Sequence, residues 1–162
     1  MTNLELDDIT IAEYPREYVD RLILKHHYLD TIPTVACIYR YVISGGIRHG
    51  IIGAAMWGKP TARMEDQTDT LELQRFWTED YTPKNTESYA LSRMIKDIDE
   101  RGTHSRLIAY SSSGENHDGG IYRATNWEYV GERETSTGDG WANRPNRATN
   151  DQSKKHKFVY HL

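Results

Sequence analysis

Apolar positions along the chain fall into two periods. Tyr18, Val19, Leu22 and Ile23 recur at helical spacing, and Pro15 stands where a helix begins, its missing N–H costing nothing in the first turn. The pattern predicts an amphipathic helix from Pro15 to about His26, and Pro33 blocks further regular helix. Thr10 to Ala12 reads as a short first strand. Val35 to Ile43 is rich in β-branched and aromatic residues and reads as a strand, with Ser44, Gly45 and Gly46 as a turn and Ile47 to Trp57 as its hairpin partner. Thr70 to Trp77 is the next strand, and simple alternation puts Leu71, Leu73, Arg75 and Trp77 on one face. Asn85 or Thr86 offers a helix N-cap, Leu91, Met94, Ile95 and Ile98 follow at helical intervals to about Arg101, and Gly102 ends the run. Arg106 to Ser111, Trp127 to Glu132 and Lys157 to His161 read as strands, with a short helix over Ile121 to Asn126.

This order of elements predicts an α/β fold with a mixed, mostly antiparallel central sheet and helices on both faces. It matches the order of the GNAT acyltransferase fold. No internal repeat or linker divides the chain, so residues 1–162 read as a single domain with a loop-rich basic segment over 133–162. A chain of 162 residues is long enough to bury its own core. Eleven tyrosines and four tryptophans favour a core that keeps polar handles beside a wet pocket. Cys37 is the single cysteine, which excludes an internal disulfide and a cysteine zinc cluster and fits a reducing compartment. There is no signal-peptide pattern and no apolar run of bilayer length, so no membrane partner is expected. The net charge of −4 argues against general nucleic-acid affinity. The charge is uneven, however: beyond Trp141, Arg144, Arg147, Lys154, Lys155 and Lys157 stand against Asp151 alone. Such a tail either touches phosphates or is an ordinary solvated surface.

The stretch Tyr110 to Gly131 carries the strongest site pattern. A buried strand gives out into a polar loop with three serines, Glu115, Asn116, His117 and Asp118, then enters a short helix through Gly119 and Gly120. Loops at strand ends converge backbone donors and side chains on ligands, although the same pattern also describes a plain β-to-α connection.

Four segments together resemble the Mom family of bacteriophage DNA-modification proteins. They are His27-Tyr28 with Ile32-Pro33; Glu72-Leu73-Gln74-Arg75-Phe76-Trp77; Asn85-Thr86-Glu87-Ser88 running to Ser92-Arg93; and His117-Asp118-Gly119-Gly120-Ile121-Tyr122-Arg123-Ala124-Thr125-Asn126-Trp127 with Tyr129 and Gly131. The resemblance covers about His26 to Gly131. It implies a GNAT-like fold, DNA as partner, the cytoplasm of an infected bacterial host as location, and addition of a carbamoylmethyl (acetamido) group to N6 of adenine, which shields phage DNA from host restriction. Carried over on their motifs are His27, Tyr28, Arg75 and Tyr122 as catalytic residues, and Ser88 with Asn85 and Thr86 on the cofactor side. Ser112, His117 and Asp118 form the substrate loop. One departure is plain: the family's Ser-Tyr-Ala-Asp run reads Ala109-Tyr110-Ser111-Ser112 here, so Ser112 stands where the acid is expected.

The chemistry fits those residue types. Adenine's exocyclic amine is a poor nucleophile, because its lone pair is delocalised into the ring. Joining a carbon to it needs a proton acceptor and stabilisation of developing charge. His27 suits the base role by its near-neutral pKa, or else interacts with the last carbonyls of a helix. Tyr28 donates a hydrogen bond, stacks on a base or is a core aromatic. Arg75 holds a phosphate or carboxylate, or makes a structural ion pair. Ser88 in the first turn of a helix favours an anion such as an acyl-CoA pyrophosphate, or is an ordinary helix-start serine. Tyr122 protonates a leaving group, binds a flipped base or packs under the sheet. The GNAT pyrophosphate loop is missing, with Pro83, Lys84 and Asn85 in its place, so acyl-CoA stays open as cofactor, as does iron. Reaching N6 requires a flipped or single-stranded adenine. The competing readings are an ordinary GNAT N-acetyltransferase on a protein or small amine and a non-catalytic DNA-binding module. Whether the chain is a monomer or a homodimer stays open as well.

Overall fold

The computed structural model describes residues 4–27, 31–33, 35–112, 119–133 and 155–162. After a single 3-10 turn at Leu6–Asp8, the elements run β1 (Thr10–Glu13), α1 (Arg16–His26), β2 (Cys37–Ser44), β3 (Ile51–Gly58), β4 (Thr70–Thr78), α2 (Thr86–Arg101), β5 (Arg106–Ser112), α3 (Gly120–Ala124), β6 (Glu128–Arg133) and β7 (Lys155–His161). The seven strands form one sheet in the order β1-β2-β3-β4-β5-β7-β6. Only β4 and β5 are parallel; every other neighbouring pair is antiparallel.

Each helix covers one face. Val19 and Ile23 of α1 pack on Val42, Ala54 and Met56. Leu91, Met94, Ile95 and Ile98 of α2 pack on the other face, against Tyr41, Ala55, Trp57, Leu71 and Leu73. The period-two strands and period-3.6 helices of the sequence thus meet across two apolar layers.

Two irregularities correct the strand pattern. In the β2–β3 connection, Ile47 does not start a strand: it is fully exposed, and the turn closes later, with Gly45 N–H donating to Gly50 O at 2.8 Å. The second correction bears on the site. Met56 faces Arg75 and Trp57 faces Leu73, leaving Gln74 as the extra residue of a β-bulge. The extra residue breaks the alternation. Leu71 and Leu73 face α2, whereas Arg75 and Trp77 turn to α1: the Trp77 ring stacks on His26 with centroids 3.9 Å apart.

The sheet also splits. β4 and β5 pair only from Thr70–Arg106 to Glu72–Ile108. Beyond that rung β4 stays with β3 out to Thr78, while β5 stays with β7 out to Ser112. The two strands therefore separate in the middle of the sheet, where backbone donors and acceptors are left for another partner.

Candidate functional site

A cavity of about 370 Å³ lies between the end of β4, the start of α2 and α3. Asn85, Thr86 and Ser88 all line it, together with Gly120. Asn85 is the N-cap of α2 with φ 75°, and its side chain does not cap. The Thr86 hydroxyl donates to Pro83 O at 2.7 Å and the Ser88 hydroxyl to Asn85 O at 3.1 Å. The side-chain N-cap expected of Asn85 or Thr86 is therefore absent, because the left-handed backbone at Asn85 turns the helix entry. The three residues meet as expected, but the charge around them does not suit a pyrophosphate. Glu79, Asp80 and Glu87 line the same cavity against Lys84 alone. One ammonium and a helix N-terminus do not offset three carboxylates beside a dianion. A neutral or cationic polar group fits this cavity better than the phosphates of an acyl-CoA.

The second cluster sits at the C-terminus of α1. His27 is buried as the C-cap and donates its backbone N–H to Ile23 O at 3.0 Å. The Arg75 guanidinium donates to Thr31 O at 3.1 Å, to Thr31 Oγ1 at 3.2 Å and to Gln74 O at 2.7 Å. Arg75 thus ties the segment after α1 to the bulge. Tyr28 lies outside the described residues.

The same face carries a buried acid at the last rung before the split. Glu72 is 6% exposed and accepts from Thr61 N and Thr61 Oγ1, both at 3.0 Å. Burial pushes its carboxyl above the usual range, and the Thr61 donors with the charges of Lys155 and Arg75 offset part of that. Nearby, Lys157 pairs with Glu65, which also holds Arg106 at 2.9 Å. Lys157 is therefore a buried partner of an acid and not part of a free basic tail. Burial lowers its pKa. Arg144, Arg147 and Lys154 lie outside the described residues.

Tyr122 is placed differently. Its ring packs in the core, 5.2 Å from Trp127 and 5.1 Å from Phe158 by centroids, on the face that α2 covers. Gly119 makes this possible: at φ 78° an added Cβ would run into the Phe158 ring. His27 and Arg75 are thus on the α1 side and Tyr122 on the α2 side, with the strand split between them. The structure does not gather them into one cluster. Ser112 ends β5, paired in register with Lys155. His117 and Asp118 lie outside the described residues. Among the described residues no three His, Cys, Asp or Glu side chains converge as a metal site requires. No helix among them is long and apolar enough to cross a membrane.

Glu72 was missed by sequence reasoning as a site residue. Its signal was available: a lone carboxylate within the apolar run Thr70 to Trp77 has to find donors or hold a proton.

Several solved structures similar to this chain are acetyltransferases of low sequence identity. The IAA acetyltransferase from Bacillus cereus ATCC 14579 superposes with a TM-score of 0.67 at 14% identity, covering 95% of this chain and 99% of that one. The ribosomal-protein-S5-alanine acetyltransferase from Vibrio fischeri gives 0.66 at 10% identity, covering 99% and 97%. A Bacillus subtilis acetyltransferase in complex with CoA gives 0.61 at 11% identity, covering 95% and 97%. At these identities the likeness establishes a GNAT-like fold. No curated protein matches the chain in sequence. The model of the Mom protein family matches residues 8–162, nearly the whole chain. Because this match spans well over half of the sequence, the chain belongs to the Mom protein family.

Proposed function

We propose that this protein modifies DNA, adding a carbamoylmethyl (acetamido) or related group to N6 of adenine and so protecting phage DNA from restriction in the cytoplasm of the infected host. The observation that carries the reading is the family match over residues 8–162, on a sheet split between β4 and β5. The target adenine, flipped or single-stranded, approaches the split. His27 at the end of α1 accepts the N6 proton as N6 displaces the leaving group from the methylene carbon of an activated carbamoylmethyl donor, so the new C–N bond forms as the donor's bond to that carbon breaks. Arg75 holds the chain after α1 in place through Thr31. Tyr122, on the α2 side of the split, gives its proton to the departing group. The three carboxylates at the α2 cavity speak against a pyrophosphate there, so no step is assigned to acyl-CoA.

The test is restriction resistance. Plasmid DNA from cells expressing the protein should resist enzymes whose sites contain adenine, and should be cut normally from cells without it. Full cleavage of DNA from cells holding soluble, folded protein overturns the proposal. A second reading rests on Ser112, which stands where the family carries an acid. In that reading the protein binds DNA without modifying it, with salt-dependent affinity and only standard nucleosides.

A further inference from the structure

The outer face of α1 carries a stripe that the reaction above does not use. Tyr18, Arg21 and Lys25 of α1 are separated by three and four residues, so at 3.6 residues per turn they line up on one side, and Tyr14 precedes the helix with its ring against that of Tyr18. That side is opposite Val19 and Ile23, which anchor the helix to the sheet. All four are exposed; Tyr14 and Tyr18 retain 41% and 39% of their surface. The two rings form a pair with centroids 5.2 Å apart. Arg21 and Lys25 make no ion pair among the described residues. Of the acids on this helix, Asp20 is engaged by Arg16 at 3.4 Å and by Arg40 at 3.6 Å, leaving Glu17 alone at the flank. From Tyr18 to Lys25 the stripe runs about 10 Å along the helix axis. It ends at His26 and His27, beside the bulge that carries Arg75.

We propose that this face is a track for single-stranded DNA flanking the target adenine. The inference rests on the DNA reading above and adds where the strand lies. Two free cations on an otherwise acidic protein complement a phosphate backbone, and a pair of exposed tyrosine rings offers faces on which unpaired bases stack. Trp127 and Tyr122 are buried against each other. Tyr14 and Tyr18 are an exposed aromatic pair beside Arg21 and Lys25.

The experiment measures binding of the full chain to a labelled adenine-containing single strand, and to the matching duplex, by fluorescence anisotropy over a salt series. Arg21→Glu with Lys25→Glu should weaken single-strand binding about 10-fold or more and lower the log–log salt slope by about 1.4. Tyr14→Ala with Tyr18→Ala should weaken it about 5-fold or more and leave the slope unchanged. Lys96→Glu, an exposed lysine on α2 across the sheet, should bind like the parent. Thermal melting by circular dichroism confirms that each variant is folded. Parent-like affinity in either double variant, an equal loss from Lys96→Glu, or tighter binding to duplex than to single strand overturns the track. If the parent modifies DNA while the double variants bind normally, the track fails and the function stands. If the parent neither binds nor modifies DNA, the function itself fails.

Discussion

Removing Glu65 should destabilise the protein more than removing its partner Lys157. The Lys157 ammonium is buried on β7, its side chain 7% exposed against 16% for Glu65, and the pair pins the β3–β4 loop over the sheet beside the split. Glu65→Ala leaves that ammonium buried without its carboxylate. Breaking a buried pair from one side costs about 3–5 kcal/mol, and the partial exposure of Glu65 puts the expectation near the low end, about 3 kcal/mol. Lys157→Met keeps the length of the stem, and Glu65 retains Arg106 at 2.9 Å, so about 1 kcal/mol is expected. The double variant has no stranded charge and should lose about 1–2 kcal/mol, well short of the sum. Urea unfolding near neutral pH reads these differences: at an m value of about 2 kcal/mol/M, Glu65→Ala lowers the midpoint by about 1.5 M. The pH dependence has a definite sign. Burial lowers the pKa of Lys157, so between its folded and unfolded values the unfolded chain binds more protons and stability rises with pH. The Glu65→Ala deficit should therefore shrink on going to about pH 10. A Glu65→Ala loss no greater than that of Lys157→Met, or a double variant that sums the two, would refute the buried-pair reasoning.

Glu72→Gln keeps an oxygen for the two Thr61 donors and removes the ionisation. Because burial raises the folded pKa of Glu72, its contribution to stability is full below the ordinary carboxylate value and fades as pH rises through the folded value. Glu72→Gln should therefore gain on the parent as pH rises above the ordinary carboxylate value of about 4, and a difference in urea midpoint that stays constant with pH would contradict this. Arg75→Lys keeps a charge but cannot reach Thr31 O, Thr31 Oγ1 and Gln74 O together, so a loss of about 1–2 kcal/mol is expected in the same assay; parent-like stability would show that these bonds carry no weight. Gly58→Ala puts a Cβ against Ala36 O, and within 2.5 Å of Gln74 Nε2 and 2.8 Å of Cys37 Cα, so either the backbone of β2 or the bulge has to move. A loss of about 1–3 kcal/mol is expected by thermal or urea melting, and a neutral result would mean that this contact relaxes freely.

The fold was legible in the sequence wherever a period ran unbroken. The spacing of Leu91, Met94, Ile95 and Ile98 gave α2, and the β-branched and aromatic runs gave the strands. What failed was alternation through Gln74. A bulge inserts one residue without altering composition, so nothing local to Thr70–Trp77 announces that Arg75 changes face. Lys157 misled for a related reason: a lysine in a basic run looks solvated until a distant acid, here Glu65 from another loop, is folded onto it. The grouping of Asn85, Thr86 and Ser88 was readable because they share one helix start. The acids that line the same cavity were visible in the sequence, yet only the fold shows that Glu79, Asp80 and Glu87 surround it. Tyr18 shares the helical spacing of Val19, Leu22 and Ile23, yet its ring is exposed on the other side of α1 and meets that of Tyr14, a contact the spacing alone does not show.

The most direct measurement of the central claim is nucleoside mass spectrometry on plasmid DNA from cells expressing either the parent or Tyr122→Phe. The parent should yield deoxyadenosine heavier by one carbamoylmethyl or related group. Tyr122→Phe, equally soluble and folded because the ring keeps its packing on Trp127 and Phe158, should yield only standard nucleosides. Standard nucleosides alone from the folded parent would contradict adenine modification, and full modification by Tyr122→Phe would remove Tyr122 from the chemistry.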